Sequence, residues 1–471
     1  MPNKTLIFKP YYIQKGRGPH LDEFAYLMDM NGDTFHSDVA VKNQGVTISN
    51  TKGIKKFTLN VRWNVEGYGY LFMPADNGGE FYSLPQFGSL QLNLNFELAK
   101  TRIYRNRRRQ ANFNREGWLA SRELSAMINL AENYLDDAIK NVQDDETCAR
   151  FSQQALLYAL WASEMLELEK ARWNIAKNSA RLDFLFGCDG RGYFQMDSEL
   201  FLERFTEIFN YATITHYLIG DFLDFEPVEG QKQFAERDRL LADLEKYKIQ
   251  VAGRPLFWTH KWVTPDWLKN KTFPQLLNYL EKHIRTVVGH YGNRIKVWEV
   301  VNELHDWANE LFLNHEQTIE LTKFACDVVR DVNPNLKILI NNCSPFGEYV
   351  QKGLWHELPA RYPQRTPFQF TEQIIEAGTD FDAIGVQVYF TSKTLADYIG
   401  VIERYEKLGK AIHLAEVGAP SRGITQEFLD EEPGDYSTLP YEWHRHWDEE
   451  LQADWLEAIF TYAYSQPMIQ A

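Results

Sequence analysis

The sequence predicts an α/β protein built on a (β/α)8 barrel of the TIM type. Its last strand is expected to be truncated, and a β-rich N-terminal domain and a helical segment precede it. Three observations carry this expectation. From about residue 182 to residue 471, short apolar runs alternate with amphipathic helical stretches, a rhythm that gives a parallel sheet wrapped by helices. No glycine-rich phosphate loop follows the first of these runs, which favours a barrel over a doubly wound sheet. Two of the runs end in glutamate, and in barrels the chemistry sits at the C-terminal ends of strands.

Residues 1–115 read as the β-rich domain. GVTISN, KKFTLNVRWNV, GYGYLFMP and GSLQLNLNFELA are short, β-branched or alternating, and divided by Gly, Asn and Pro, the pattern of a small sandwich. Residues 116–181 form the helical segment. ELSAMINLAENYLDDAIK and TCARFSQQALLYALWASEMLELEKARWNIAK carry good helix formers with apolar residues three and four apart, placing Phe151, Leu156, Leu160 and Leu166 on one buried stripe. Two long helices packed on a neighbouring domain are expected, with a partner-binding helical pair as the alternative. Residues 182–471 read as the barrel domain. Its strands are LDFLFG, ATITHYLIG, QVAGRPLFW, IKVWEVVN, LKILINN, DAIGVQVYF and AIHLAEV, and helical patterns such as FAERDRLLADLEKY and FPQLLNYLEKHIRTVVGHY lie between them.

Composition narrows the function. The chain has 471 residues and a net charge of −15, which disfavours nucleic acid and anionic membrane surfaces and allows a neutral polymer. The basic cluster RIYRNRRRQ at Arg102–Gln110 reads as a solvated face or loop. Aromatic residues reach 14%, which suits stacking on sugar rings as well as a large core. Four scattered cysteines make no metal box and no legible disulfide framework. The N-terminus has no signal-peptide pattern and no run spans a membrane, so a cytoplasmic location is the default expectation.

VWEVVNELHDW places Asn302 and Glu303 at the end of an apolar strand. Glu299 shares that strand and parity, but four residues along a strand span roughly 13 Å, beyond the about 5–9.5 Å that paired glycosidase carboxylates need. The second carboxylate is therefore expected from another strand end, and AIHLAEVG supplies Glu416. A strand-end glutamate alone reads equally well as a surface ion pair; two of them on a barrel favour chemistry.

VWEVVNE resembles the W-D-V-V-N-E signature of glycoside hydrolase family 10, best known for endo-β-1,4-xylanases, and HLAEV resembles its second signature, T-E-L-D. GRPLFWTHKWVTPDWL looks like the family's third-strand segment, NPNLKILINN like its fifth strand and FDAIGVQVY like its I-G-x-Q-x-H. The resemblance covers about 182–471. It implies a retaining double displacement with Glu416 as nucleophile and Glu303 as acid/base, Asn302 on the sugar 2-hydroxyl, and Gln387 helping to orient the nucleophile. Trp258, Trp262 and His260 are the further substrate-binding candidates. Trp267 is a weaker one, and Trp298 and His413, both mid-strand, read as core.

The departures concern substrate grip. Tyr389 stands where the family has His, and Gly253-Arg254 replaces its Gly-His pair. On the second strand, Tyr217, Leu218 and Asp221 stand where an E-N-x-x-K pattern is expected. After LQADWLEAIFTYAYSQPM only IQA remains for an eighth strand, hence the expected truncation and an open sheet. His444-Arg445-His446 with Asp448 reads as a solvated loop. The resemblance implies a carbohydrate substrate, xylan or another β-glycan, with no metal and no cofactor. A β-glycosidase of different sugar specificity and a non-hydrolytic glycan-binding protein are the alternatives; oligomeric state stays open.

Overall fold

A computed structural model describes all residues except 1–3, 12–23, 43–44, 221–222, 356–357, 391–392 and 422–441. The chain forms two compact units interleaved in sequence. The first holds residues 1–180, 388–402 and 417–466, and the second holds 181–387, 403–416 and 467–471.

In the first unit, two four-stranded sheets account for the β-rich start. One is ordered Asp38–Lys42, Gly45–Asn50, Thr5–Lys9, Ser89–Asn93; the other is ordered Thr34–Phe35, Ala25–Met28, Thr58–Val65, Gly69–Ala75. Thr58–Val65, TLNVRWNV, alternates apolar and polar residues, yet it is buried at every position, Asn60, Arg62 and Asn64 included. GSLQLNLNFELA is only half a strand. The strand stops at Asn93, whose side chain accepts from the Phe96 amide, and Leu94–Arg115 is helix. Alternation over Leu90 and Leu92 hides the switch to the i, i+4 pair Leu94 and Leu98, both buried.

That helix corrects the reading of the basic cluster. Arg102 is buried and pairs with Asp397 at 2.7 Å, Arg105 with Asp76 at 2.9 Å and Arg107 with Glu132 at 2.5 Å. Arg109 grips Glu167 through two bonds of 2.6 and 2.8 Å. Four of the five arginines therefore cross-link the unit through acidic partners, while Arg107 and Arg108 stay exposed as the solvated-face reading expects. Helices Arg122–Lys140 and Asp145–Lys177 follow, each capped by its preceding Ser or Asp. Leu156, Leu160 and Leu166 are buried as expected, while Phe151 is only half-buried. His444 also differs from expectation. It stacks on Trp161 at 3.9 Å and bonds Glu164 at 2.6 Å, and Glu164 also accepts from Trp443 at 2.8 Å. His446 is exposed.

The second unit contains the strands of the barrel, except the last two residues of the sixth and of the seventh, which fall in the first unit. In order they are Gly187–Asp189, Tyr211–Thr215, Gln250–Arg254, Val297–Asn302, Lys337–Asn342, Ala383–Tyr389 and Ala411–Gly418, each beside the next. Pairing is parallel from the first through the sixth. The third strand breaks at Pro255 and resumes as Phe257–Trp258 against Val301 and Asn302, since proline cannot donate to the ladder. Trp298 is buried as expected, over Gly253: a Cβ there would lie 2.1 Å from the indole. His413 is buried too, and burial pushes its imidazole down to about 4, so it stays neutral.

The sheet is not left with two bare edges. Ile412 bridges Ile469 in parallel, the Leu414 amide donates to the Ala471 carbonyl at 2.9 Å, and the Leu185 amide donates to the Gln470 carbonyl at 2.9 Å. Met468–Ala471 thus occupies the eighth position, between the seventh strand and the segment leading into the first.

Candidate active site

The fourth strand, Val297–Asn302, is buried at all six positions. It ends because Glu303 turns into the left-handed region, φ 53°, with its amide donating to the Asn341 carbonyl at 2.8 Å. A non-glycine residue held there is strained, and such strain collects at functional positions. The turn aims the Glu303 carboxyl at two donors: Gln387 Nε2 at 2.7 Å from the sixth strand and Trp258 Nε1 at 3.0 Å from the resumed third. Burial pushes this carboxyl up to about 7 and the charge of Glu416 adds to the rise, while the Gln387 and Trp258 bonds oppose it.

Glu416, on the seventh strand, lives in the opposite environment. Its Oε1 accepts from Asn341 Nδ2 at 3.0 Å and from the Arg254 guanidinium, donors that favour the charged form. Glu299 also reaches this group: Arg254 Nε lies 3.1 Å and Asn341 Nδ2 3.2 Å from its Oε2. Burial pushes Glu299 up to about 8. A bulge in the pairing of the fourth and fifth strands, between Glu299 and Val301, accompanies its position.

The remaining expected residues divide. Asn302 is buried beside Glu303, and neither side-chain polar atom has a partner among the described residues. His260 lies between Trp258, ring centroids 5.2 Å apart, and Trp262, 4.6 Å apart. The Trp262 indole is 68% exposed. Tyr217 packs on Trp258 with centroids 5.0 Å apart. Tyr389 belongs to the first unit, 46% exposed, its ring covering Gly418. Trp267 donates to the Pro227 carbonyl at 3.2 Å, and Asp221 lies outside the described residues. A cavity of about 570 Å³ opens elsewhere on the barrel unit, lined by Glu226, Lys232, Trp267, Tyr279 and His283, and neither rim glutamate lines it.

Sequence reasoning missed Asn341 and the bonding roles of Arg254 and Glu299. The Gly-Arg pair was visible as an oddity of the third strand. That its guanidinium meets carboxylates from two other strands is a fact of closure and has no local pattern.

The barrel strands thus carry one carboxyl that burial pushes up to about 7 and a second bonded by an arginine and an amide, two unlike environments of the kind that separate acid from nucleophile. Among known proteins, the model of glycosyl hydrolase family 10 matches residues 210–440, and the chain is similar to that family over this stretch. It is 25% identical over 265 residues to endo-1,4-beta-xylanase B of Thermotoga neapolitana, covering 52% of this chain and 68% of that protein. It is also 25% identical over 185 residues to endo-1,4-beta-xylanase B of Neocallimastix patriciarum, covering 37% of this chain but only 20% of that one. Among solved structures, xylanase 10B from Thermotoga petrophila RKU-1 in complex with xylobiose aligns with 22% identity and a TM-score of 0.43, covering 62% of this chain and 84% of that one.

Proposed function

We propose that this protein is a retaining glycoside hydrolase of the endo-β-1,4-xylanase type, cleaving xylan or a related β-glycan by double displacement. The observation that carries the reading is the contrast between Glu303, held up to about 7, and Glu416, bound by an arginine and an amide donor. Opposed environments of this kind assign acid and nucleophile.

In the first step a Glu416 oxygen attacks the anomeric carbon, the bond to the leaving oxygen breaks, and Glu303 gives that oxygen its proton. Esterification removes the Glu416 charge, which had helped hold Glu303 up, so Glu303 is free to act as a base. In the second step it takes a proton from water as the water oxygen attacks the anomeric carbon and releases Glu416. Asn302, buried with unmet hydrogen-bonding capacity beside Glu303, is assigned the 2-hydroxyl, a bond that strengthens toward the oxocarbenium-like transition state. Gln387 and Trp258 fix the acid, and His260 and Trp262 extend the sugar-binding surface, with Trp262 exposed for stacking. Tyr389 is proposed to bind substrate from the sixth strand. The barrel in this reading is eightfold with a short last strand, and its catalytic domain begins near residue 182.

Arg254 favours a second reading. A guanidinium in place of the expected imidazole changes the floor of the site, so a related β-glycosidase of different sugar specificity is the alternative. The test is hydrolysis of an aryl β-xylobioside, beside aryl β-glucosides and β-galactosides, by the wild type, Glu303→Ala and Glu416→Ala. Loss of turnover in Glu416→Ala with rescue by azide supports the mechanism, and the preferred sugar decides between the readings. Glycan binding without turnover of any substrate by the folded wild type overturns both.

A further inference from the structure

Arg254 ends the third strand with its side chain buried between carboxylates from two others. Nη2 donates to Glu416 and lies 3.3 Å from Glu299 Oε1, and Nε lies 3.1 Å from Glu299 Oε2. Asn341 donates to the same two carboxylates at 3.0 and 3.2 Å. Glu416 is thus gripped from the third and fifth strands, and the gripping groups are tied back to Glu299 on the fourth.

The strand beneath the guanidinium has little room to shift. Gly253 lies against the Trp298 ring, and the Arg254 carbonyl accepts from the His216 amide at 2.6 Å. Arginine suits such a place because its planar fork meets two carboxylates at once and stays charged when buried. The other charges acting on it are Asp189, at the end of the first strand, and Glu303, with the Tyr217 hydroxyl nearby. A buried cation left without its carboxylates is strongly destabilising, so this guanidinium fixes their geometry as much as they fix it.

We propose that Arg254, anchored by Glu299, is a positioning residue that orients the Glu416 carboxylate for attack and keeps it ionised. The inference rests on Glu416 being the nucleophile. Arg254 reaches the reaction only through Glu416. Glu299 and Glu416 share one guanidinium, so a neutral Glu299 leaves more of its charge to the nucleophile. Ionisation of Glu299 at alkaline pH draws that charge away.

The experiment compares full-length wild type with Arg254→Ala, Arg254→Lys and Glu299→Gln, folding checked by circular dichroism. Arg254→Ala is expected to lower kcat on the order of 100-fold, the scale of a misplaced reacting group, with KM little changed. The acid limb of its kcat profile is expected to move to higher pH, and added guanidinium ion to restore part of the rate. Arg254→Lys should fall between wild type and Arg254→Ala, and it carries the comparison if the alanine variant does not fold. A folded variant with an unmoved acid limb and no rescue overturns the inference and leaves Arg254 a packing residue. If the wild type cleaves no aryl β-glycoside, the proposed function fails, and carbon-13 titration of the Glu416 carboxyl, assigned with Glu416→Gln, still decides. A higher titration midpoint in Arg254→Ala supports the charge coupling, and an unchanged one overturns it.

Discussion

Glu303 has a backbone that L side chains rarely adopt and a carboxyl that burial pushes up to about 7. Both follow from placing a polar group at the buried end of an apolar strand. As the proton donor it must be protonated, so kcat/KM should fall as pH rises through about 7. Gln387 donates to its carboxylate and so favours the ionised form. In Gln387→Ala the basic limb is therefore expected at higher pH, and a pH–rate profile measures the difference. Glu303→Gln keeps the shape and removes the proton, and turnover should drop about 10²–10⁴-fold for substrates with poor leaving groups. At this scale the two rim glutamates were legible because each closes an apolar, strand-like run. Asn341, inside the plain run LKILINN, was not, because its partners Glu299 and Glu416 come from other strands.

At the scale of elements, the loop after Glu303 depends on one ion pair. Asp306 accepts from Arg365 Nε and Nη2, both at 3.0 Å, and from the Arg365 amide at 2.5 Å, with both side chains buried. Burial raises the energy of that carboxylate, but the bonds from His315 and Arg365 prevail and hold it at about 2. Asp306→Asn should cost about 3–5 kcal/mol at neutral pH, the usual penalty for orphaning a buried charge, as read by urea denaturation. The folded value is depressed, so the stabilisation is present above the unfolded carboxylate's ordinary range. It is lost as pH falls toward about 2, and the gap between wild type and variant should close over that interval. The alternation of apolar runs and amphipathic stretches made the barrel strands legible. It did not place the strand-to-helix switch at Asn93, because alternating leucines continue unbroken into the helix. Nor did it show that four of the five arginines in RIYRNRRRQ meet acidic partners: a basic run looks the same whether water or carboxylates surround it.

At the scale of the molecule, neither unit is a contiguous stretch of chain. The first unit takes back residues 388–402 and 417–466 after the barrel strands have begun. A fragment beginning at residue 182, the boundary the sequence suggests, keeps Trp443 and His444 but lacks their partners Glu164 and Trp161. It also keeps Glu449–Ser465, which packs on the Asp145–Lys177 helix that the fragment lacks. Such a fragment should be less soluble and melt lower than the full chain, as gel filtration and calorimetry will report. Truncation of Met468–Ala471 should destabilise the barrel unit in particular, since it strips hydrogen bonds from Ile412, Leu414 and Leu185, and hydrogen exchange at those amides should rise most.

The closing pairs at Met468–Ala471 also bear on biosynthesis. Leu185, Arg181 and the first strand leave the ribosome nearly three hundred residues before Gln470, the residue whose carbonyl accepts from the Leu185 amide. Throughout that interval the nascent sheet carries an unsatisfied edge, open to chaperones or to a neighbouring nascent chain. The closing register forms only once Met468–Ala471 has been made, so variants that weaken these pairings should show themselves first as poor yield and only then as poor catalysis.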